Sequence, residues 1–570
     1  MEKWVLAAKR ADFQEIGRKY GIDPVIARII RNRDITEDAE INQYLNGTLD
    51  DIPSWKSLKD IDKAVEIISQ KIDLGTRMRI IGDYDIDGVT ATYILLKGFK
   101  RLGANVDTYI PDRIADGYGI HNHLIEKAKE DGVDTIVTCD NGISAADQIA
   151  FAKKMGMTVV VTDHHEVPFE DTEEGRKYKL PLADAIINPK QSDCTYPNKN
   201  ICGAVVAMKL VFALYEKYGI PESEKEDYLE PAAIATVGDI MDLQGENRIL
   251  VKEGLLRLPH TKNKGLKALI RAIGLENQKI SSYDIGFRLG PCINASGRLD
   301  TAKRALELLN ASNRREAVTL AADLKELNDS RKEMTEEGVE EAVRQIESSS
   351  WKDDQVLVVY LPECHESIAG IIAGRIKERY YRPTFVLTKG ETGVKGSGRS
   401  IEAYDMFAEM SRCRELFTKF GGHKLAAGLS LEEEKVEVFR KRINELADLT
   451  EEDLQMKVSI DMRLPFPYIN EELIHELKIL EPFGKGNGKP LFAESKLRVI
   501  QPRIFGKNRN VLKCRLEDQQ GNQMEAVYFG EVEDCLRQME KKQIMSFTYY
   551  PSINEYMGRR TIQLTIVNYQ

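Results

Sequence analysis

The sequence predicts an α/β protein of several domains: a doubly wound, mainly parallel domain, a long connecting helix, a smaller α/β domain and a C-terminal β-barrel. Three observations carry this. Short apolar runs alternate with amphipathic segments of helical length between Arg77 and about Gly245. A stretch rich in Ala, Leu, Glu and Arg follows from Thr301 to Ser350. Beyond Leu449, many short strand-like runs are separated by turn residues. A chain of 570 residues is in any case too long for one hydrophobic core.

Taken in order, residues 1–75 read as a helical, polar annex without a motif that carries chemistry. In residues 76–300 the runs "MRIIGDYD", "ANVDTYIPDR", "DTIVTCDNG", "MTVVVTDHH" and "ADAIINP" are nearly continuous apolar stretches. Strands buried on both faces of a parallel sheet look like this, with helices such as "TATYILLKGFKRLG" covering the faces. Residues 301–350 keep apolar positions at three and four spacing, as a connecting helix does. In residues 351–450, "QVLVVYLP", "IAGIIAGRIKERY" and "RPTFVLTKG" begin a second α/β unit. Residues 451–570 contain "KLRVIQPRIF", "VLKCRL", "EAVYF", "IMSFTYYP" and "TIQLTIV", the pattern of a small barrel.

Composition excludes several classes. Hydrophobic content of 42%, charged content of 30% and 19 prolines describe neither a disordered nor a collagenous chain. No apolar run is long enough to span a bilayer, and "MEKWVLAAKRADF" is too short and too charged for a secretory signal, so a cytoplasmic location is expected. The eight cysteines show no paired CxxC spacing, which argues for reduced, mostly buried thiols and against structural zinc. A net charge of −10 is unusual for a nucleic-acid protein, but binding depends on local patches and not on the sum.

The candidate chemistry lies at strand ends. "IIGDYDIDGVTATYI" sets Asp83, Asp85 and Asp87 at alternate positions before Gly88. The first half of an EF-hand loop has this form, but the glutamate required at its twelfth position is Ile94 here, and the flanks read as strand then helix. One acid would suffice to cap the helix; three repel one another unless a cation lies among them. Asp140 follows the run "TIVTC", and Asp163, His164 and His165 follow "MTVVV", so three strands deliver ligands to the carboxyl edge of the sheet, where such folds bind ligands. Asp239, in the apolar "AAIATVGDIMDL", would be costly to bury unpaired. A carboxylate-rich set with one or two imidazoles suits Mn²⁺ or Mg²⁺ above Zn²⁺.

The strings "GDYDIDGVTAT", "TCDNG", "TDHHE" and "ATVGDIMDL", in that order, resemble the four motifs of the DHH phosphoesterases, named for the Asp-His-His triplet. Further on, "KGSGRS" and "FGGHKLAAG" resemble the DHHA1 domain that binds substrate in that superfamily. Together with "IPDRIADGYGI", "GPCINASGRLD", "CHESIAGIIAGRI", "ILEPFGKGNGKPLF" and the terminal barrel, they are similar to the branch that degrades single-stranded DNA from its 5′ end. This resemblance implies two metal ions bridged by Asp140, one held mainly by Asp85, the other by Asp87, His164 and Asp239. It implies that Asp163 orients the turn and that His165 contacts the scissile phosphate and assists proton transfer. The superfamily often carries a histidine four residues before the first ligating aspartate; here that position is Ile81, which leaves Asp83 as an additional ligand. Cys292 and Cys364 stand where arginine and tryptophan are common in this branch.

The same resemblance implies a pocket for a 5′ phosphate from Arg113, Ser397 and Arg399, residue types apt for it because guanidinium forks, a hydroxyl and backbone amides all donate. Asn294, Arg298 and His423 are assigned to the phosphate track, and Gly421, Gly422 and Gly428 to close backbone approach. From Lys496 to Arg515 there are seven Lys or Arg and no acid, with Phe505 interleaved. A basic groove with aromatic platforms is how OB-folds hold single strands, whereas a charged edge that blocks aggregation is the alternative. A monomer is expected, with a single-strand binding protein and a RecQ-type helicase as implied partners. Competing functions are a phosphodiesterase of short RNA or cyclic dinucleotides, against which the extra barrel argues, and an inactive scaffold, against which the complete ligand set argues.

Overall fold

The computed structural model describes residues 2–570 except 115, 118, 173–174, 391–392 and 557, with the backbone alone at 556. The chain forms two compact units, Pro53–Met241 with Leu250–Met456, and Met1–Ile52 with Asp242–Ile249 and Lys457–Gln570. In the first, strands β1 (Met78–Ile81), β2 (Val106–Tyr109), β3 (Thr135–Cys139), β4 (Thr158–Thr162) and β5 (Ala185–Ile187) form an all-parallel sheet in the order β2-β1-β3-β4-β5. The chain turns to one side of β1 for β2 and to the other for β3. That reversal opens a crevice beyond the carboxyl ends of β1 and β3, where ligands bind in such sheets. Helices α1 (Ile86–Arg101), α2 (Gly203–Lys217) and α3 (Leu229–Gly238) are buried over most of their length, which is why their sequences are apolar all round.

Helix α4 (Gly290–Leu299) follows a π-helical stretch, Ile285–Leu289, and leads to α5, Arg314–Glu347. The latter runs for 34 residues, about 51 Å, after Asn313 caps its first turn. Ala342 and Ile346 near its end share a core with Leu357, Val359 and Ile372, so the end of the connector is part of the smaller domain it leads into, while the helix also packs against α4. That domain contains β6 (Leu357–Tyr360), α6 (Ala369–Tyr380), β7 (Thr384–Gly390), β8 (Gly393–Arg399), β9 (Lys419–His423) and β10 (Ala426–Leu431), with sheet order β9-β10-β8-β7-β6.

In the second unit, β11 (Phe492–Phe505), β12 (Val511–Glu517), β13 (Gln523–Tyr528), β14 (Ile544–Tyr556) and β15 (Arg559–Tyr569) close a ring, because β11 pairs with β14 as well as β12, and β13 pairs in parallel with β15. Helix α7 (Val532–Lys541) sits between the third and fourth strands, completing an OB-type barrel. The first 75 residues, expected as one annex, divide. Ile26, Ile29, Tyr44 and Leu45 share the core of Leu477, Phe492, Phe547 and Tyr549, whereas the helix Ile61–Asp73 lies in the first unit. Arg248 ties this unit together: buried to 2% exposure and stacked 3.9 Å over the Tyr44 ring, it donates to the carbonyls of Tyr44, Leu480 and Ile479. Among the described residues, no helix is long and apolar enough to cross a membrane.

Replacing Arg248 by alanine removes the guanidinium donors from the carbonyls of Tyr44, Ile479 and Leu480, of which the last keeps donors from Asn487 and Tyr44. A loss on the order of 3 kcal/mol in urea-unfolding stability is expected, in a transition assigned to the second unit. Restoration of most of that loss by Arg248→Lys would contradict the need for a fork of donors.

Candidate active site

Three of the acids predicted from the sequence, Asp85, Asp87 and Asp163, are oriented by backbone amides. Asp85 caps α1, its Oδ1 accepting from the amides of Asp87 at 2.9 Å and Gly88 at 3.0 Å. Asp87, in the first turn, accepts from the opening amides of α2, Gly203 at 2.7 Å and Ala204 at 2.8 Å. A helix N-terminus is a natural seat for a carboxylate. Asp140 follows β3 in the left-handed region at φ 60°, a conformation that aspartate tolerates better than most residues. The Asn141 side-chain amide beside it donates to the Ile81 carbonyl at 3.1 Å and the Cys139 carbonyl at 2.9 Å, clipping β1 to β3 at the crevice. Asp239 is the C-cap of α3.

Asp163 takes four donors: the amides of Ile143, His164 and His165, and the His165 Nδ1 at 2.8 Å. It is wholly engaged in shaping the turn. The adjacent histidines consequently differ. His164 is buried, and its Nε2 lies 3.1 Å from Asp140, 3.5 Å from Asp87 and 3.6 Å from Asp239. His165 is half-exposed and anchored through Nδ1.

Three overlapping groups have ligand atoms within 4.8 Å of one another: Asp83, Asp85 and Asp140; Asp87, His164 and Asp239; Asp140, His164 and His165. Asp140 joins the first group to the third. Ile81 is buried in the sheet core and offers no ligand, while Asp83 stands beside Asp85 and Asp140. Burial first, and then mutual repulsion, pushes Asp83 and Asp140 well above the usual carboxylate range and Asp239 to about 8. Burial also lowers the affinity of His164 for a proton, so its neutral ring directs a lone pair among carboxylates. His165 goes the other way: burial pulls it down, but the bond to Asp163 prevails and holds it protonated to about 9.

The donor set fits divalent cations. Asp83 Oδ1, Asp239 Oδ2 and both ring nitrogens of His164 are buried without a hydrogen-bond partner among the described residues, an arrangement that is costly for neutral and charged forms alike. Oxygen-rich ligation with one imidazole suits Mn²⁺ or Mg²⁺.

A second cluster of opposite charge adjoins the first. Arg298, at the end of α4, donates to the Ser367 carbonyl at 2.8 Å. Its pKa is pushed down to about 10 by burial and then by the like charges of Arg113, Arg331 and Arg399, while Asp85 opposes the shift. Arg113 lies 4.8 Å over the Tyr84 ring. Asn294 has its side-chain oxygen committed to the amide of Ile86, at 2.8 Å, so it steadies the loop of the acids.

The sheet register of the smaller domain sets Ser397 opposite Gly428 and Gly428 opposite Gly421, with Arg399, Ala426 and His423 in the next row but one. Ser397 and Gly428 line a cleft of about 350 Å³ together with Arg113, Lys395, Lys419 and Phe420. A Cβ at Gly421 would meet only open space, and one at Gly428 would project toward the cleft. Gly422 differs: at φ 148° its Cβ would stand 2.4 Å from the Ala426 carbonyl oxygen, so its need for glycine is internal to the sheet. On β8 the alternation is strict. Lys395, Ser397 and Arg399 are partly exposed, whereas a Cβ at Gly396 would lie 2.3 Å from Leu387 and one at Gly398 2.4 Å from the Met406 sulfur. Lys395 and Lys419 escaped the reading of the sequence, although Lys395 shares the alternation of "KGSGR" with the two residues that were found. The amides of Gly203 and Ala204 also escaped it, because backbone donors leave no residue-type signal.

In the second unit, the basic stretch lies on β11, β12 and the turn between them. Six of its seven cations are exposed, and Arg515 is partly so. Arg503 pairs directly opposite Lys513, and Lys513 lies 5.8 Å over the half-exposed Phe505 ring. Like charges facing each other across a strand pair are destabilising unless an anion is shared.

A switch-point crevice lined by the acids of three chain segments and an Asp-His-His turn, beside a cleft lined by Arg113, Lys395 and Lys419, defines a DHH-type phosphoesterase. The family models agree with that division: "DHH family, N-terminal domain" matches residues 77–236, "DHHA1 domain" 353–448 and "RecJ OB domain" 460–568. The single-stranded-DNA-specific exonuclease RecJ of Salmonella typhimurium is 36% identical over 96% of this chain and 95% of its own, and that of Escherichia coli 35% identical over 96% of each. The crystal structure of RecJ from Thermus thermophilus in complex with Mn²⁺ superposes with a TM-score of 0.83 at 28% identity, covering 100% of this chain and 79% of that one. A second structure of that RecJ contains Mg²⁺. The chain belongs to the RecJ family.

The crowding of charge sets a pH dependence. Asp239 binds a proton in the folded state up to about pH 8 but in the unfolded state only below its ordinary value of 3.8, so the metal-free protein loses stability as pH rises through this window. Melting curves without metal should fall from about pH 5 to about pH 8, and the gain on adding Mn²⁺ should grow over the same range; a flat metal-free curve would contradict the crowding. Separately, His164→Ala should weaken Mn²⁺ binding in calorimetry by roughly a hundred-fold or more, since loss of a mere supporting partner costs up to that, while His165→Ala should leave the binding isotherm unchanged and slow turnover.

Proposed function

We propose that this protein hydrolyses single-stranded DNA from its 5′ end, releasing mononucleotides. The observation that supports this reading most is the adjacency of the guanidinium cluster to Asp83 and Asp85: a terminal phosphate bound by Arg113, Arg298 and Arg399 leaves the next phosphodiester at the acids. An interior-cutting enzyme has no use for such a stop.

Asp85, Asp83 and Asp140 would hold one divalent ion, and Asp87, His164, Asp239 and Asp140 the other. Bound there, Mn²⁺ or Mg²⁺ supplies charge for an in-line displacement at phosphorus and a nucleophile at neutral pH. Ser397 and the arginines bind the 5′ phosphate by charge-assisted hydrogen bonds. His165, kept protonated by Asp163, donates toward the scissile phosphate and is the proton source for the 3′ oxygen that departs. Asn294 keeps the acid loop in place through the Ile86 amide, and His423 extends the row of Arg399 along the same sheet face. The basic face of the barrel holds the strand without reading its sequence, as stacked and charged grooves do. A cytoplasmic monomer acting in recombination and repair with a RecQ-type helicase and a single-strand binding protein accords with this substrate. Short RNA and cyclic dinucleotides make no use of such a barrel.

With Mn²⁺, label at the 5′ end of a single strand should appear as mononucleotide from the first turnover, with duplex DNA resistant and Asp140→Ala inactive. Release from the 3′ end, or equal attack on duplex, would overturn the reading. Arg399→Ala should erode the preference for a 5′-phosphate over a 5′-hydroxyl terminus by roughly ten- to a hundred-fold, the worth of one hydrogen bond to a charged group.

A further inference from the structure

Tyr283 and Phe287 lie one helical turn apart on the segment that precedes α4, both far out of the core, at 64% and 66% exposure. Their rings are stacked on each other, with centroids 4.6 Å apart and planes inclined by 24°. Single exposed apolar side chains are ordinary, but a stacked aromatic pair held on rigid backbone is a preformed apolar surface. The backbone beneath it is the π-helical stretch Ile285–Leu289, a distortion that is rare and concentrated at functional sites. No role in the reaction described above uses these rings.

Their position relates them to the active site. Gly286, between them, faces α3: a Cβ there would lie 3.9 Å from Val237, two residues before Asp239. Three residues after Phe287, a Cβ at Gly290 would lie 3.1 Å from Ile86, the residue between Asp85 and Asp87. The same helix then passes Asn294, bonded to the Ile86 amide, and Gly297, packed on the Tyr84 carbonyl, and ends at Arg298 in the guanidinium cluster. The segment Tyr283–Arg298 thus runs alongside the acid loop, with aromatic rings at the Asp239 end and an arginine at the other. From Phe287 to Arg298 the rise is about 16 Å, the reach of a few nucleotides. The charge on the rings' own segment is compatible with a polyanion: Asp284 is paired with Arg288 and capped by Ser281.

We infer that Tyr283 and Phe287 form a base-stacking platform for the substrate strand on the 3′ side of the scissile bond, so that the nucleotides still to be cut are held in line while the 5′ phosphate is gripped at Arg298. This rests on the reading of the chain as a 5′ exonuclease of single strands. The platform accepts any base, because every base has a π-face, and it discriminates against strands whose bases are paired and cannot splay onto it.

The test is kinetic. With both side chains at the surface, the double variant Tyr283→Ala/Phe287→Ala should melt like the wild type; if it does not, Tyr283→Ser and Phe287→Ser singly serve instead. Its kcat/KM on a long 5′-phosphorylated single strand should fall roughly ten-fold or more, mainly through KM. Activity on a 5′-phosphorylated dinucleotide, too short to reach the rings, should be unchanged, and Tyr283→Phe should retain wild-type behaviour. In the wild type, abasic sites placed two to five nucleotides from the 5′ end should reproduce the loss, and in the double variant they should cost nothing more. Equal kinetics of variant and wild type on long strands, or an abasic penalty that persists undiminished in the variant, would overturn the platform. So would a loss confined to mixtures with another protein, which would make the rings a docking surface. A wild type that digests single strands only from the 3′ end, or not at all, would instead overturn the 5′-exonuclease reading and this one with it.

Discussion

Buried carboxylates crowd one end of a parallel sheet, and their mutual repulsion is the constraint around which the first unit is organised. Asp83, Asp87 and Asp140 are almost inaccessible, and among the described residues no side chain within the cluster apart from His165 brings a positive charge. What holds them in place is backbone: the start of α1 for Asp85, the start of α2 for Asp87 and the strand end itself for Asp140. Amides orient carboxylate oxygens without neutralising them. The protein therefore presents geometry and leaves charge compensation to cations, which makes this centre the part of the fold most dependent on what it binds.

The guanidinium cluster is the complementary half of this design. It is close enough for Asp85 to raise the proton affinity of Arg298, yet Arg298 donates to the backbone carbonyl of Ser367 and, among the described residues, not to an acid. Had arginines and acids paired, each would have satisfied the other and neither would have been available to a ligand. Leaving them unpaired maintains two adjacent fields of opposite sign. The overall charge of −10 conceals this, since sums are blind to separation.

Much of this was legible in the residues. Continuous apolar runs ending in acids located β1, β3 and β4 and the edge to which they deliver ligands, because a parallel strand buried on both faces has little choice of composition. The alternation and turns after Leu449 located the barrel, and the "DHH" turn separated one orienting acid from two histidines. What could not be read depends on chain segments far apart in sequence. The first 75 residues divide because Ile26 and Tyr44 find their core among residues beyond 460, a pairing that no local period encodes. Asn294 acts on the acid loop across 208 residues of sequence. Gly422 looked like its neighbour Gly421 until the register separated a glycine facing open space from one pressed on a carbonyl.

The alternation along β8 has an evolutionary consequence. Positions 395, 397 and 399 can vary in chemistry, since whatever stands there is partly exposed, while 396 and 398 admit no side chain at all because Leu387 and Met406 already occupy the space. Drift in this strand is therefore confined to every second codon. A deletion or insertion of a single residue would exchange the two sets at once, turning glycines toward the cleft and forcing a lysine, a serine and an arginine into the hydrophobic layer. Lineages can change the chemistry this face presents by substitution, but length change in these five residues is closed to them.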